Sequence, residues 1–262
     1  MRVLTTATEV ASVDDEFAID GDAVPAEYLS YELNEWDDYA IEAAVQIKEA
    51  REDVEVVAVT IGPERSEEVA REALAKGADR ALRVWDDALG DRAVLDPTSK
   101  AQILAAVAET EEPDLVLTGV QSGDDAWGAT GVALARDLGY QWAAVVNDLE
   151  LDDSATTAHV HRELEGGVEE LTEIGLPAVL TIQTGINDPR YASLRGIRQA
   201  HAKPLDVQSL SDLGLDTLPE RLRLREMRIP ESESETEYLS GSPGDQASQL
   251  ATVLSDEGVI DG

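Results

Sequence analysis

The chain has no cysteine among its 262 residues, a single phenylalanine (Phe17) and four lysines, Lys48, Lys76, Lys100 and Lys203. Without cysteine there can be no disulfide, no thiolate nucleophile, and no thiolate-ligated zinc or iron–sulfur centre built within the chain. No run of about 20 apolar residues occurs, so no segment reads as a membrane-spanning helix. The apolar stretch at Met1–Ala7 is too short for a signal peptide and reads as a first strand. Neither Gly-x-Ser-x-Gly nor His-Glu-x-x-His is present, which leaves no recognisable hydrolytic apparatus.

Acid is what the chain has in excess. Its formal net charge is −35. The acid is spread along the whole length, at Asp14-Asp15-Glu16, Asp37-Asp38, Glu67-Glu68, Asp86-Asp87, Asp152-Asp153 and Glu231 to Glu237. Two explanations compete: an acidic tail or a surface that mimics nucleic acid, or adaptation to a saline cytoplasm. Dispersed acid with scarce lysine fits the second, a halophile's cytoplasmic protein. Self-repulsion opposes the compact state at low ionic strength, and molar salt shortens the Debye length to about 3 Å. The melting temperature should therefore rise with KCl in a calorimetric series; a flat or falling series would refute salt adaptation. The same charge excludes nucleic acid as a partner, because phosphate contacts need a basic patch.

Strand and helix patterns alternate along the chain. Val3–Ala7 reads as a strand, followed by a polar connection over 8–33 with a short strand near Phe17–Ile19. A helix from Trp36 carries Tyr39, Ala40, Ala43, Ala44 and Ile47 on one face, with Asn34 where an N-cap belongs. Val54–Ile61 is a strand of parallel-sheet type, Glu64–Lys76 a helix closed by Gly77, and Arg80–Trp85 a strand. Helix 98–109, strand 115–118, helix 126–138 (stopped by Gly139) and strand 143–146 follow. The rhythm predicts an α/β fold with a doubly wound, mostly parallel, Rossmann-like sheet. Residues 155–163 and 168–174, joined by Glu165-Gly166-Gly167, predict an antiparallel hairpin, and Val179–Ile182 a further strand. The organisation expected is a domain over 1–205 and a C-terminal extension over 206–262. Residues 231–246 read as an extended arm and 245–258 as a terminal helix that packs on a partner subunit or folds back on its own domain. His159 and His161 share a strand face with no third ligand in view and read as surface residues.

Two segments carry the chemistry. Gly119-Val120-Gln121-Ser122-Gly123-Asp124-Asp125-Ala126-Trp127-Gly128-Ala129-Thr130-Gly131 follows an apolar strand and opens a helix. Open α/β sheets place ligands at that point, where glycines admit a phosphate to the backbone and helix N–H groups can receive it. The spacing is neither a Walker loop nor Gly-x-Gly-x-x-Gly, so an ordinary loop capped by Asp124 or Asp125 fits equally well. The second segment is Gly185-Ile186-Asn187-Asp188-Pro189-Arg190-Tyr191-Ala192-Ser193-Leu194-Arg195-Gly196-Ile197. Pro189 forces a turn. Beyond it, Tyr191, Leu194 and Ile197 either form a docking surface beside arginines or fold back onto the core.

These segments resemble the electron-transfer flavoprotein beta-subunit family. The second is similar to the family's Asn-Glu-Pro-Arg-Tyr-Ala-Thr-Leu recognition loop, in which Leu194 matches the leucine presented to partner dehydrogenases. The glycine-rich run resembles Gly-x-Gln-Ala-x-Asp followed by Gln-Thr-Gly, the family's AMP-holding segment. Gly119, Gln121, Asp124, Thr130 and Gly131 match, Val120, Ser122, Gly123 and Asp125 lie within it, and Gly128 and Ala129 replace an Asn-Gln pair found in many members. Asn34, Trp36 and Asp37 resemble an Asn-Pro-aromatic-Asp stretch that also lines the nucleotide site, with Glu35 in the proline position. Thr6-Ala7 and Ile61 fall where the family touches the adenosine. Val160-x-Arg162-Glu163-x-Glu165-Gly166-Gly167 resembles a third signature, in which Glu163 matches a glutamate that pairs with an arginine of the other subunit. Thr8-Glu9-Val10-Ala11-Ser12-Val13 departs from the basic and aromatic residues that usually follow the first strand near the flavin.

The resemblance implies the beta half of a heterodimer that is an electron carrier and not a self-contained enzyme. It would hold AMP structurally, share an FAD owned mainly by an alpha subunit, and dock flavoprotein dehydrogenases of the acyl-CoA type. Electrons would pass on to a quinone oxidoreductase. A flavin-bifurcating variant with FAD in place of AMP, and a stand-alone nucleotide-binding stress or signalling module, are the alternatives.

Overall fold

The fold is taken from a computed structural model that describes residues 1–229, 236 and 238–260. The chain divides into two compact units, Met1–Met227 and Arg228–Gly262.

The first unit is built on a seven-stranded sheet. In chain order its elements are β1 (Arg2–Thr6), β2 (Glu9–Val13), β3 (Leu29–Leu33), α1 (Glu35–Ala50), β4 (Glu55–Ile61), α2 (Glu67–Lys76), β5 (Arg80–Val84) and the single turn α3 (Asp87–Gly90). They continue with α4 (Pro97–Glu111), β6 (Leu115–Gly119), α5 (Thr130–Leu138), β7 (Gln141–Val146), β8 (Asp148–Leu151), β9 (Thr157–Leu164), β10 (Val168–Gly175), β11 (Ala178–Ile182), α6 (Leu194–Ala200) and β12 (Leu205–Gln208). The sheet runs β12-β5-β4-β1-β6-β11-β7, and every pair in it is parallel.

Side chains alternate across this sheet as the two-residue strand period requires. Val3, Val56, Ala58, Leu115 and Leu117 join one core with Ala40, Ile41, Ala44, Ala70 and Leu74 of α1 and α2. Leu4, Val57, Val59 and Val116 join the other with Ile103, Leu104, Val107 and Leu134 of α4 and α5. Helices therefore cover both faces, and the doubly wound reading stands. Near-continuous apolar strands follow from burial on both sides.

Chain order in the sheet reverses between β1 and β6: β4 and β5 lie on one side of β1, β6 and β11 on the other. A parallel sheet opens a crevice at such a point, beyond the strands' carboxyl ends. β8, β9 and β10 form a separate antiparallel sheet, and β2 pairs with β3.

Several expectations are corrected. Residues 17–19 are not a strand; β2 and β3 flank them instead, a partly exposed pair whose acidic, serine-bearing residues mask the alternation. Helix α5 starts at Thr130 and not at 126, because Ala126 (φ 52°) and Gly128 (φ 59°) hold left-handed backbone that a helix cannot include. β8 and β12, absent from the sequence reading, are four-residue strands fixed by their neighbours. β12 pairs with β5 from Leu205 opposite Ala81, and the first compact unit extends to Met227.

In the second unit, α7 (Pro243–Asp256) begins with a capping box between Ser242 and Asp245. The expected arm therefore turns helical by residue 243. Its acidic run 231–237 lies outside the described residues except for residue 236. Among the described residues no helix is long and apolar enough to cross a membrane.

Candidate functional site

The crevice is organised by one carboxylate. Asp37, in the first turn of α1, is buried, yet it does not cap its own helix. Its Oδ1 accepts from Thr6 Oγ1 at 2.5 Å and from Gly119 N at 2.8 Å, and its Oδ2 accepts from Thr8 N at 2.8 Å. The ends of β1 and β6 are thereby tied together across the point where the sheet order reverses. Asn34 is placed as the N-cap of α1 but makes no capping bond. Its amide reaches the loop after β6 instead, donating to Gln121 O at 2.9 Å and accepting from Gly123 N at 3.2 Å. Gly119 is required here, since a Cβ would lie 2.6 Å from Trp36 Cβ. Gly131 admits α5 equally close to the sheet: its Cβ would meet Thr181 Cγ2 at 2.5 Å.

Neither Asp124 nor Asp125 caps α5. Asp124 accepts from Asp125 N, while Asp125 accepts from Trp127 N at 3.1 Å and from Lys100 Nζ at 2.6 Å. Burial alone would raise the Asp125 carboxyl, but Lys100, joined by the Trp127 N–H and the nearby Ser122 hydroxyl, outweighs it and holds the group below its ordinary value. The position before α5 is Ala129, which offers no capping side chain. The first N–H groups of that helix therefore lack an intrahelical or side-chain acceptor, an arrangement that favours anions. Ser122 is 8% exposed, and its hydroxyl, close to the Asp125 carboxyl, makes no hydrogen bond of full geometry among the described residues.

Together these groups line a cleft that opens to solvent and whose empty space, open mouth included, is about 610 Å³. Thr6, Asn34, Asp37, Ile61, Gly119, Val120, Gln121, Ser122, Asp125, Gly128, Ala129 and Thr130 all lie on it. Five expected residues do not. Ala7 is in the core with its N–H on Val59 O, and Glu35 is exposed. Trp36 packs beneath Gly119 and donates to Gln183 Oε1 at 3.0 Å. Gly123 and Asp124 face a neighbouring groove. Thr8, Val59, Lys100, Leu104 and Thr118 complete the cleft without having been read from the sequence. Lys100 had one available signal, as one of only four lysines in the chain.

The second segment is pinned to α1. Asn187 donates to Tyr39 O at 3.0 Å. Arg190 donates through Nε to Glu42 Oε2 at 2.7 Å and through Nη1 to Glu49 Oε1 at 2.6 Å. Beyond Pro189, Tyr191 is 98% and Leu194 76% exposed, with Ile197 also exposed. Leu194–Ala200 is the helix α6, capped by Ser193, where the sequence suggested a loop. Leu194 and Ile197 consequently share a face. Gly196 sits against α2, where a Cβ would be 2.3 Å from Ala75 O. Glu163 is exposed on β9, opposite Glu169, with its N–H on Asn147 Oδ1. His159 and His161 lie beside Glu173 and Glu169.

Residues 24–213 match the family described as the electron transfer flavoprotein domain. The chain belongs to the electron-transfer flavoprotein family, as a beta subunit. It is 44% identical to the electron transfer flavoprotein subunit beta of Methylophilus methylotrophus, with 98% of each chain covered. The subunit beta of Bacillus subtilis is 32% identical, covering 99% of this chain and all of its own length. That of Bos taurus is 35% identical, covering 82% of this chain and 81% of its own. A beta subunit of this family carries electrons as part of a flavoprotein, and its crevice and exposed α6 face have to be understood in that setting.

Proposed function

We propose that this chain holds AMP in the crevice between β1 and β6 and presents the Tyr191–Leu194–Ile197 face to flavoprotein dehydrogenases. It works as one half of a cytoplasmic heterodimer. An alpha subunit holds most of the FAD, Glu163 pairs with an arginine of that partner, and the segment after the compact unit packs against it. Electrons enter from acyl-CoA-type dehydrogenases and leave to a quinone oxidoreductase. FAD supplies the electron-accepting chemistry when bound, and this chain contributes binding and positioning rather than catalysis of its own.

The observation that carries the reading is the conjunction at the crevice mouth: an uncapped α5 N-terminus and a buried Ser122 hydroxyl without a hydrogen bond of full geometry among the described residues. Thr130 supplies a further hydroxyl at the cleft wall. These donors suit a phosphate, and the apolar Val59, Ile61 and Leu104 suit an adenine.

The test is the cofactor content of the chain purified with its alpha subunit. One FAD and one AMP per heterodimer support the reading. Two FAD and no AMP would establish the bifurcating variant, and a colourless homodimer the signalling module. Leu194→Ala should slow reduction by a partner dehydrogenase about tenfold or more, as expected when an interface loses a central apolar anchor, with heterodimer formation unchanged. Unaltered stopped-flow kinetics would remove the docking role.

A further inference from the structure

The crevice has an unusual charge inventory for an anion site. Its charged residues are two carboxylates, Asp37 and Asp125, and one ammonium, Lys100. Asp37 is satisfied by the three donors it joins. Asp125 is satisfied by Lys100 and Trp127 N. A phosphate entering against the α5 N-terminus would meet a helix end worth only about half a positive charge. Those two carboxylates would oppose it.

Lys100 resolves this conflict. It stands in the first turn of α4, reaches across to Asp125 of the glycine-rich loop, and borders both the crevice and the groove beside it. Its ammonium is a compact charge on a four-carbon stem with three donors. Lysine can therefore move between acceptors, or bridge two of them, without rebuilding the wall. Trp127 lies near it, with Nζ 5.9 Å from the ring centroid.

Resting on the adenylate reading above, we propose that Lys100 is the phosphate-neutralising residue of the crevice, held by Asp125 when the crevice is empty and transferred to the ligand's phosphate when it is filled. The phosphoester is then held by groups of three elements: the α5 N–H groups, the Ser122 hydroxyl of the loop and the Lys100 ammonium of α4. Lys100 thus sets the preference for a phosphorylated nucleoside over the bare nucleoside.

The experiment uses the heterodimer stripped of bound nucleotide and titrated calorimetrically with AMP and with adenosine. Wild type should bind AMP at least about tenfold more tightly than adenosine, as a charge-assisted contact implies. Lys100→Gln should remove about that factor for AMP and leave adenosine within about twofold, while Lys100→Arg retains part of the preference. Asp125→Asn removes the competing carboxylate, so AMP should bind more tightly and adenosine as before. The inference is overturned if Lys100→Gln weakens both ligands equally or neither. It is also overturned if Asp125→Asn weakens AMP, which would make the ion pair a structural clamp. Should wild type bind neither ligand, the adenylate reading fails and Lys100 with it. Should wild type bind both while Lys100→Gln changes nothing, only the role of Lys100 fails.

Discussion

Asp37→Ala is expected to destabilise the chain by about 3–5 kcal/mol and to empty the crevice. The carboxylate is the acceptor for Thr6 Oγ1, Thr8 N and Gly119 N. The Thr6 hydroxyl can rotate to another acceptor, but the two backbone N–H groups cannot turn away. Both are partly buried at the cleft wall; a donor left without a partner costs about 1–3 kcal/mol, less the more water reaches it, and loss of the bonds' ionic character adds to this. Against a typical domain stability of about 5–15 kcal/mol that is a large fraction. Asp37→Asn should fall between, since it keeps the shape and one oxygen but turns an NH₂ donor toward another donor. Urea unfolding of the three proteins tests the ordering. A loss below about 1 kcal/mol in the alanine variant would show that the ends of β1 and β6 are held together by packing alone.

Arg190→Ala is expected to cost about 2–4 kcal/mol at neutral pH, somewhat under the usual figure for breaking a buried pair because the arginine is partly exposed. Glu42 is the reason. Its side chain is only 5% exposed, and without the Arg190 side chain it keeps only Gln46, 2.9 Å away, and the backbone N–H of residue 190 at 3.3 Å. Burial pushes the Glu42 carboxyl up, but the hydrogen bonds from Arg190 and Gln46 outweigh it and hold it below its ordinary value. A carboxylate depressed in the folded state stabilises above its unfolded value, near pH 4.3, and that contribution disappears as pH falls through the folded value. Removing Arg190 leaves burial dominant, so the variant relieves itself by taking up a proton. The gap between wild type and variant should accordingly be wide at pH 7 and narrow below about pH 4. Arg190→Lys should recover only part of it, because one ammonium cannot pair with Glu42 and Glu49 through separate edges as the guanidinium does. A gap independent of pH would remove Glu42 from the explanation.

Much of the molecule was readable from local pattern. The apolar runs at Val54–Ile61 and Leu115–Thr118 are short and rich in Val, Leu and Ile, which favours strands buried on both faces. Gly77 and Gly139 end helices with φ of 141° and 67°, where a side chain would be strained. What escaped depended on contacts distant in sequence. Asn34 has the identity and position of an N-cap, and nothing nearby reveals that its amide serves residues 121 and 123. β12 is a four-residue strand with two exposed residues, defined by β5 alone. Helix α6 is seven residues long and contains Gly196, a poor helix former kept by the closeness of α2. Lys100 is one of several polar residues on a largely buried helix, and its place on the cleft emerges only when α4 and the loop after β6 come together.

Helix α1 has a part in both regions. Its first turn supplies Asp37 to the crevice, and further along it Tyr39 O, Glu42 and Glu49 hold the segment that leads to Leu194. Its 16 residues make a rod about 24 Å long. Such a rod behaves as a beam bearing two loads. A tilt forced at one end is felt at the other, so a substitution that reseats it cannot register as a change in small-molecule retention alone or in visitor capture alone.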